Sequence, residues 1–309
     1  MTVRDFSRNT DPVRDPVLNE TTVLKLVRRH LATASRITSV DETGGEARTY
    51  VIDEKYIFKT QRPHRVRAST SLEKEVFFLN VIAKEAPEAS VPRALGYGRD
   101  GNIEYSLMTR MPGTATRNVV LEGKARRSVM FELGKKLRRI HSLPLAVFEK
   151  NPLVPGDKNM TEIRARIEGG LRRGVEALKD NMDGWQVSIS PEAVLASSLA
   201  LVRSEQRAAV HANPGPEHVF VDPDTLQYQG IIDFGDAYIS HPAFDLRRWS
   251  SRADRSALME GYQVKGDVSS DFLATWKAIL LSGLMGTIAM WPDRRQQALS
   301  DIKTLLNET

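Results

Sequence analysis

Residues 211–246 read HANPGPEHVFVDPDTLQYQGIIDFGDAYISHPAFDL, and this stretch decides the fold. Two apolar runs, HVFVD and YQGIID, alternate in character as strands do, and they flank Pro223, Asp224 and Thr225, which favour a tight turn. A β-hairpin over residues 218–233 would bring His218 and Asp233 to the same end of the paired strands. The segment therefore predicts a hairpin with polar side chains at its open end.

The polar residues around this hairpin have the spacing of a kinase catalytic loop joined to a metal-binding loop. In protein kinases H-R-D-x-x-x-x-N precedes D-F-G. Here His211, Asn213 and His218 occupy the places of its His, Asp and Asn, and residues 233–235 spell D-F-G. Ligands from two adjacent strand ends suit a phosphate-bound Mg²⁺, which keeps several waters. A surface hairpin with acidic tips is the alternative, but two motifs in the right order favour a nucleotide and metal site.

These residues resemble the aminoglycoside phosphotransferase (choline kinase-like) family, whose pattern is H-G-D-x-x-x-x-N, a hairpin, and I-D-F/W-x-D-A-x-x-G-D-P-x-x-D-L. The resemblance implies a bilobal, protein-kinase-like α+β fold. A small β-rich lobe that binds nucleotide would cover residues 1–113, with a hinge at about 107–113, and a helical lobe would cover 114–309. The catalytic loop would be 211–218 and the metal loop 233–236. The implied activity is ATP- or GTP-dependent phosphate transfer to a small hydroxylated molecule, such as an antibiotic.

By resemblance, Asn213 occupies the catalytic-base position beside His211, and His218 and Asp233 occupy the Mg²⁺-ligand positions. Family members that phosphorylate macrolides are similar in carrying His at the place of His218. The family has Asp where this chain has Asn213, and an amide accepts a hydrogen bond but no proton at neutral pH. Two hypotheses follow: a kinase with reduced activity, or a catalytically impaired relative that binds nucleotide for regulation or ligand sequestration.

Lys59 and Glu75 predict an ion pair in the first lobe. Lys59 closes the strand YIFK, where the family holds its phosphate-binding lysine. Glu75 shares one helix stripe with the apolar residues Leu72, Val76 and Leu79. A carboxylate on an apolar face is unfavourable unless it is paired, and Lys59 is the natural partner. A glutamate at the edge of the stripe is the alternative.

The remaining nucleotide contacts are predicted by resemblance alone. The strand YSLMTRMPG resembles the family's hinge, where backbone groups of Thr109 and Met111 would meet the adenine edge. Gly44 and Gly45 would let the backbone approach phosphates, although the loop DETGGEARTY lacks a full G-x-G-x-x-G pattern and a plain hairpin turn is equally compatible.

Three residues that follow Asp233 in the sequence need separate interpretation: Asp236, His241 and Asp245. His241 stands where the family has Asp, and we expect it to perturb a loop rather than to act as an acid or base. Asp236 could place a second carboxylate near the nucleophile, but a solvated or capping role is the safer interpretation. Asp245 matches the family's D-L and is expected to be structural.

Composition limits the class of protein. The chain has 309 residues and a formal charge of +5. It has no cysteine, and this absence excludes disulfides and thiolate metal sites. The first residues are charged and predict no signal peptide, so we expect a cytoplasmic protein. The Lys and Arg are scattered apart from the Arg62–Arg67 cluster, and the apolar stretch Ala278–Trp291 is broken by glycines. We therefore expect neither a nucleic-acid nor a membrane partner. The expected binding partners are a nucleotide and a small-molecule substrate. The sequence leaves the oligomeric state open.

Periodicity predicts an N-terminal half of strands around one helix, and a C-terminal half of helices around the hairpin. No acidic excess marks the second half, which disfavours a polycationic substrate. A protein kinase is disfavoured because no A-P-E segment follows Asp233.

The predicted helices are 21–34, 72–84, 124–142, 160–180 and 191–208, with strands in 37–59 and at 103–108. A capping box of Thr70 and Glu73 is predicted to begin the second helix.

Overall fold

A computed structural model describes residues 17–42, 44–62 and 71–308; residues 1–16, Thr70 and most of the Arg62–Arg67 cluster lie outside them. The strands, β1 to β10, are Ile37–Asp41, Ala47–Ile52, Tyr56–Gln61, Ala94–Asp100, Ile103–Thr109, Thr114–Ala115, Ala208–Val210, Val219–Val221, Tyr228–Ile231 and Tyr238–Ser240. The α-helices, α1 to α9, are Glu20–Val27, Leu72–Glu85, Gly123–His141, Leu145–Glu149, Met160–Asp180, Pro191–Ala200, Arg252–Tyr262, Ser270–Met290 and Arg295–Asn307. Short 3₁₀ helices are Pro87–Ala89, Thr116–Asn118, Pro242–Arg247 and Pro292–Arg294.

The first five strands form one antiparallel sheet in the order β1-β2-β3-β5-β4. Strand β3 is central, so Lys59 is flanked by Thr49 on β2 and Ser106 on β5. The neighbouring Phe58 is fully buried with Tyr50 in an apolar cluster that includes α1. Because side chains alternate along a strand, Lys59 points to the opposite face of the sheet.

Helix α2 begins at a different cap from the one that the sequence predicted. Ser71 is the N-cap, and its hydroxyl accepts from the Lys74 amide at 3.2 Å. Glu73 instead lies 3.3 Å from the Tyr97 hydroxyl, across the sheet edge. The predicted capping box is therefore wrong by one residue, because Ser71 directly precedes Leu72, the first buried residue of the helix.

The boundaries of other elements differ where tertiary contacts override local pattern. Helix α6 ends at Ala200 rather than at residue 208, because the Thr275 hydroxyl caps the backbone amides of Arg203 and Ser204, each at 3.0 Å. The chain then enters β7, which pairs with β10. Helix α1 ends at Val27 rather than at residue 34. Strand β4, Ala94–Asp100, was not predicted.

The helical half is built around α3, α5, α7 and α8. The hairpin strands β8 and β9 pair with each other, and β6 joins them at the edge. Within the described residues, α8 is the one helix long and apolar enough to cross a membrane, but 56% of its most apolar window is buried in the protein. Burial of this kind is what a core helix shows, and the strands and helices together confirm the predicted α+β class.

Helices α3 and α7 cross at two glycines. A Cβ at Gly134 would collide with the Leu258 carbonyl oxygen, and a Cβ at Gly261 would collide with the Phe131 carbonyl oxygen. The two backbones are therefore in direct contact. By contrast, a Cβ at Gly283 on α8 would have Arg247 Cδ, at 3.8 Å, as its nearest neighbour.

These contacts predict opposite effects of the same substitution. Gly261→Ala should lower the free energy of unfolding by about 1–3 kcal/mol, because a carbonyl group must move away from the new methyl group. Gly283→Ala should raise it by up to about 1 kcal/mol, because alanine favours a helix over glycine and meets no obstacle. Urea unfolding of the two variants checks the pair, and equal effects would contradict the close crossing.

Candidate active site

The β8–β9 hairpin brings the ends of the predicted catalytic and metal loops together. Val219 pairs with Ile231, and the Ile232 amide donates to the His218 carbonyl at 3.0 Å. As a result, His218 Nε2 and Asp233 Oδ2 lie 3.3 Å apart. The predicted juxtaposition of these side chains is confirmed, and their role as metal ligands stays a prediction.

The imidazole of His218 is oriented by its own loop. Its Nδ1 lies 2.7 Å from the Asn213 carbonyl oxygen, which only accepts, so Nδ1 carries a proton. In the neutral ring the Nε2 lone pair then faces the Asp233 carboxylate, and a cation bound between the two would remove their repulsion. This donor set fits a divalent cation completed by water and phosphate oxygens. No group of three or more His, Asp or Glu side chains suited to a metal occurs in the described ranges.

Lys59 joins the sheet, α2 and the metal loop through its ammonium group. Its Nζ lies 2.8 and 3.0 Å from the two oxygens of Glu75, so the predicted ion pair is present. The same Nζ lies 3.5 Å from Asp233 Oδ1. The Glu75 side chain is 1% exposed and that of Lys59 14%, whereas Asp233 is 43% exposed and faces the cleft.

The three charges shift one another's pKa values in the directions a phosphate site requires. Burial disfavours the charged form of Lys59, but Glu75 and Asp233 outweigh it and raise the pKa of the ammonium. Burial raises the pKa of Glu75, with Lys59 opposing. For Asp233, burial is outweighed by the surrounding positive charge, above all that of Lys59, which lowers its pKa. Lys59 and Asp233 are therefore both charged at neutral pH.

Asp245 holds the catalytic loop by its backbone. Its carboxylate accepts from the amides of His211 and Ala212, both at 2.8 Å, and it lies 2.9 Å from His141 Nε2. The other ring nitrogen of His141 lies 3.0 Å from the Tyr262 hydroxyl. The side chain of Asp245 is fully buried. The structural role expected of Asp245 is thus a specific one, the positioning of the loop.

His211 serves the same loop and has no free polar atom. Its Nε2–H donates to the Ile232 carbonyl at 2.8 Å, and its Nδ1 accepts from the Asn213 amide at 3.2 Å. Burial lowers the pKa of His211, with Asp245 opposing, so the ring is neutral. Although the sequence placed it among the catalytic residues, a fully buried ring with both nitrogens engaged is suited to positioning the loop.

Asn213 presents its side chain differently. Its backbone oxygen is taken by the Gly215 amide and His218, but its side-chain amide is half-buried and has no hydrogen-bond partner among the described residues. The amide is therefore free to meet a substrate. Two neighbours hold left-handed backbone, Ala212 at φ 81° and Asp233 at φ 73°. Such conformations are unfavourable for non-glycine residues and concentrate at functional sites.

The predicted hinge leaves one backbone amide for a ligand. The Thr109 amide is not that group, because it donates to the Arg93 carbonyl at 2.9 Å. In the described part of the chain, the Met111 amide has no acceptor. Gly44 and Gly45 lie in the exposed turn between β1 and β2, and a Cβ at Gly45 would meet nothing within 4 Å. The nucleotide contacts of these four residues stay predictions.

His241 is a buried cap rather than a member of the site. Its Nδ1 accepts from the Ala243 amide at 3.3 Å at the start of the 3₁₀ helix, so its Nε2 carries the proton. That buried Nε2 has no hydrogen-bond partner. Burial, with the nearby His141, lowers the pKa of His241 to about 3. Asp236 is half-buried beside the metal loop, and its role stays open.

Comparison with known proteins agrees with this geometry. The sequence model of the phosphotransferase enzyme family, APH, matches residues 37–266. The chain belongs to this family. An aminoglycoside 3′-phosphotransferase of Streptomyces ribosidificus is 29% identical over 150 residues, 47% of this chain and 52% of that protein. The chain thus spans about half the length of this curated relative.

Solved structures of other phosphotransferases share the fold. The GDP complex of wild-type aminoglycoside 2′-phosphotransferase-IIIa has a TM-score of 0.64 and 15% identity, over 94% of this chain and 98% of that one. The macrolide 2′-phosphotransferase MphH from Brachybacterium faecium, an apoenzyme, has a TM-score of 0.60 and 16% identity, over 93% and 98%. The likeness confirms the bilobal, protein-kinase-like fold.

Sequence reasoning missed one residue that organises this site. His141, on α3, contacts Asp245 from 104 positions away. Local sequence carries no signal for such a pair, because neither residue stands in a motif with the other.

The Lys59–Glu75 pair predicts a large coupling energy. Lys59→Met should lower the free energy of unfolding by about 3 kcal/mol, since Glu75 is left buried without its cation. Adding Glu75→Leu should recover most of that loss. Lys135→Met is the matched control, because Lys135 pairs with Glu132 at the surface and its loss should be under about 1 kcal/mol. Urea unfolding of the natural chain, Lys59→Met, Glu75→Leu and the double variant gives the cycle, with Lys135→Met measured beside it. Independent, additive losses would contradict the pair.

His241 predicts a pH-dependent stability. Its folded pKa of about 3 lies below the ordinary 6.5, so the unfolded chain binds the proton more readily and stability falls as the pH drops from about 6.5 towards 3. Between pH 7 and pH 5 the unfolding free energy should fall by about 2 kcal/mol more in the natural chain than in His241→Asn. Urea unfolding at both pH values measures this difference, and parallel losses would remove His241 as the cause.

Proposed function

We propose that this protein transfers the γ-phosphate of ATP or GTP to a hydroxyl group of a small molecule. The observation that carries the proposal is Lys59, held between buried Glu75 and cleft-facing Asp233 beside the catalytic loop. In the reaction the hydroxyl oxygen attacks the γ-phosphorus and the bond to the β–γ bridging oxygen breaks. A phosphate ester and a nucleoside diphosphate form, and the hydroxyl proton leaves to solvent.

The nucleotide would lie between the sheet and the helical half. The carbonyl of Thr109 and the amide of Met111 would meet the edge of the base, and Lys59 would contact the phosphates. Gly44 and Gly45 would let the β1–β2 turn approach those phosphates closely. Related structures are complexes with GDP, ADP or ATP, which supports a purine nucleotide in this cleft.

Mg²⁺ fits the same cleft. His218 Nε2 and Asp233 would hold it, and it would neutralise charge on the phosphates when bound. Asp233 is available for this role because the charge of Lys59 keeps its pKa low. His218 is also available, because the Asn213 carbonyl fixes its proton on Nδ1.

Asn213 determines how fast the transfer would be. Its amide can accept a hydrogen bond from the substrate hydroxyl and so orient it, but it cannot take the proton. Phosphoryl transfer depends mainly on positioning and electrostatics, which the Lys59 network supplies, so we propose slow catalysis. The second candidate is a nucleotide-binding protein without catalysis, and Asn213 is the observation that favours it.

The acceptor would be a small molecule with a hydroxyl group. Relatives in the same fold are named for aminoglycosides, macrolides and spectinomycin, so antibiotics belong in the first substrate panel. The reaction also needs a nucleoside triphosphate, which agrees with the cytoplasmic location expected from the sequence.

Phosphate transfer with Mg-ATP and Mg-GTP, followed by mass spectrometry across a panel of hydroxylated compounds, tests the proposal. Asn213→Asp should raise the transfer rate by about 10²- to 10⁴-fold, because it adds a general base. Asp233→Ala should abolish Mg²⁺-dependent nucleotide binding, measured by calorimetry with and without chelator. Transfer by neither form, together with unchanged nucleotide binding in Asp233→Ala, would reject both the chemistry and the metal assignment.

A further inference from the structure

A second cavity lies on the helical side of the catalytic loop. It has a volume of about 650 Å³, and its walls come from α5, α8 and α9, the segment after the 3₁₀ helix, and Pro216 and Glu217 of the loop. This volume is in the range of small-molecule sites. Arg248 connects the cavity with the loop, because its Nε would lie 3.0 Å from a Cβ at Gly215, two residues past Asn213.

The cavity is lined by many more cations than carboxylates. Two carboxylates, Glu217 and Asp301, contribute to its walls. Six arginines do so, from four separate parts of the chain: Arg166, Arg173, Arg247, Arg248, Arg255 and Arg294. Arginine presents a planar set of N–H donors that matches carboxylate and phosphate oxygens, so the lining is suited to an anion.

Two of these arginines are neutralised from behind the wall. Arg166 makes a bidentate pair with Asp157, at 2.7 and 2.8 Å, and its guanidinium also lies over the Tyr238 ring at 4.5 Å. Arg255 donates from one nitrogen, Nη2, to both carboxylate oxygens of Glu308, at 2.5 and 2.7 Å. These two side chains are structural members of the wall, and their charge is balanced.

The positive charge of the other four arginines is only weakly compensated by carboxylates. Among the described residues, Arg173 and Arg247 have no carboxylate oxygen within 4.0 Å. Arg247 rests on the Phe244 ring at 5.3 Å, which positions it and leaves its donors free. Arg248 is 3.8 Å from Glu217, and Arg294 is 3.9 Å from Asp293, both longer than a hydrogen bond.

These cations repel one another. Burial lowers the pKa of Arg248, with Glu217 opposing and with Arg247 and Arg294 adding to the decrease. Like charges converging on one cavity are unfavourable in the empty protein, and an anionic ligand would remove that repulsion. A polycation would increase it.

We propose that the acceptor of this phosphotransferase carries an oxyanion, a carboxylate or a phosphate ester, which Arg247 and Arg248 bind while Arg173 and Arg294 surround it. The inference rests on the proposed function, since it concerns the substrate of that same site. The hydroxyl group to be phosphorylated would point from the cavity towards Asn213. This distinguishes the chain from relatives that are named for aminoglycosides, because aminoglycosides are polycations.

The test uses the full chain with Mg-ATP bound and four probes of one sugar: glucose, glucuronate, glucose 6-phosphate and glucosamine. Calorimetry measures binding, and mass spectrometry measures transfer. We expect glucuronate or glucose 6-phosphate to bind at least tenfold more tightly than glucose and glucosamine, and which of the two binds better identifies the oxyanion. Tighter binding of glucose or glucosamine, or binding of none of the four, would overturn the proposal.

Matched variants show whether the arginines are responsible. Arg247→Gln and Arg248→Gln should each weaken binding of the anionic probe at least tenfold, and the weakening should diminish at high salt. Arg172→Gln is the control for Arg173→Gln, since Arg172 is the adjacent α5 residue, pairs with Glu168 and does not line the cavity. Equal effects of the α5 pair, or no effect at Arg247 and Arg248, would contradict the assignment.

Failure of this inference and failure of the proposed function give different results. If ATP binds and raises the melting temperature but the anionic probes do not bind, the oxyanion assignment alone is wrong. If ATP fails to bind as well, the nucleotide site and the function that rests on it are wrong. The melting temperature of each variant, measured without ligand, confirms that a loss of binding is not a loss of folding.

Discussion

The ammonium group of Lys59 is the interaction on which the rest of the site depends. It brings together a strand, a helix and the metal loop, since Glu75 comes from α2 and Asp233 follows β9. Glu75 is too buried to be charged without this partner, so the cation fixes α2 against the sheet. Asp233 is then held charged, in a left-handed backbone conformation, at the mouth of the cleft. A single buried ion pair thereby determines both the position of one lobe's helix and the charge of the other lobe's metal loop.

Asp245 supplies the second constraint, and it acts on backbone rather than on charge. By accepting from the amides of His211 and Ala212, it holds a loop whose residue 212 is alanine at φ 81°, where the family pattern has glycine. His211 ties the same loop to Ile232, next to Asp233. The loop and the backbone next to Asp233 are thus positioned by fully buried side chains. Phosphoryl transfer benefits from such rigidity, because positioning contributes much of its catalysis.

How much of this could be predicted from the sequence depends on the range of the interaction. The hairpin and the Lys59–Glu75 pair were predictable, because alternation and a helical stripe report burial locally. Other features were not. Helix α6 stops early because Thr275 caps it from α8, and Asp245 meets His141 across 104 positions. The positive charge of the cavity proposed for the acceptor is another feature that depends on contacts between distant parts of the chain. Counting charges excludes an acidic excess in the second half, but only folding shows that arginines from α5, the 3₁₀ helix and the segment before α9 converge beside one loop.

The cavity also bears on the departure at Asn213. A carboxylate at that position would favour transfer by accepting the hydroxyl proton, which the amide cannot do. Positive charge beside a hydroxyl group favours loss of its proton by another route, because it stabilises the negative charge that develops on oxygen. Arg248 packs on Gly215, two residues past Asn213, and therefore lies where such a field acts. In the proposed complex the oxyanion of the substrate neutralises part of this field. The positive charge of Arg173, Arg247, Arg248 and Arg294 that the ligand does not neutralise is what remains. A loop with asparagine in place of aspartate, next to a cationic cavity, is thus a consistent arrangement for slow transfer to an anionic acceptor.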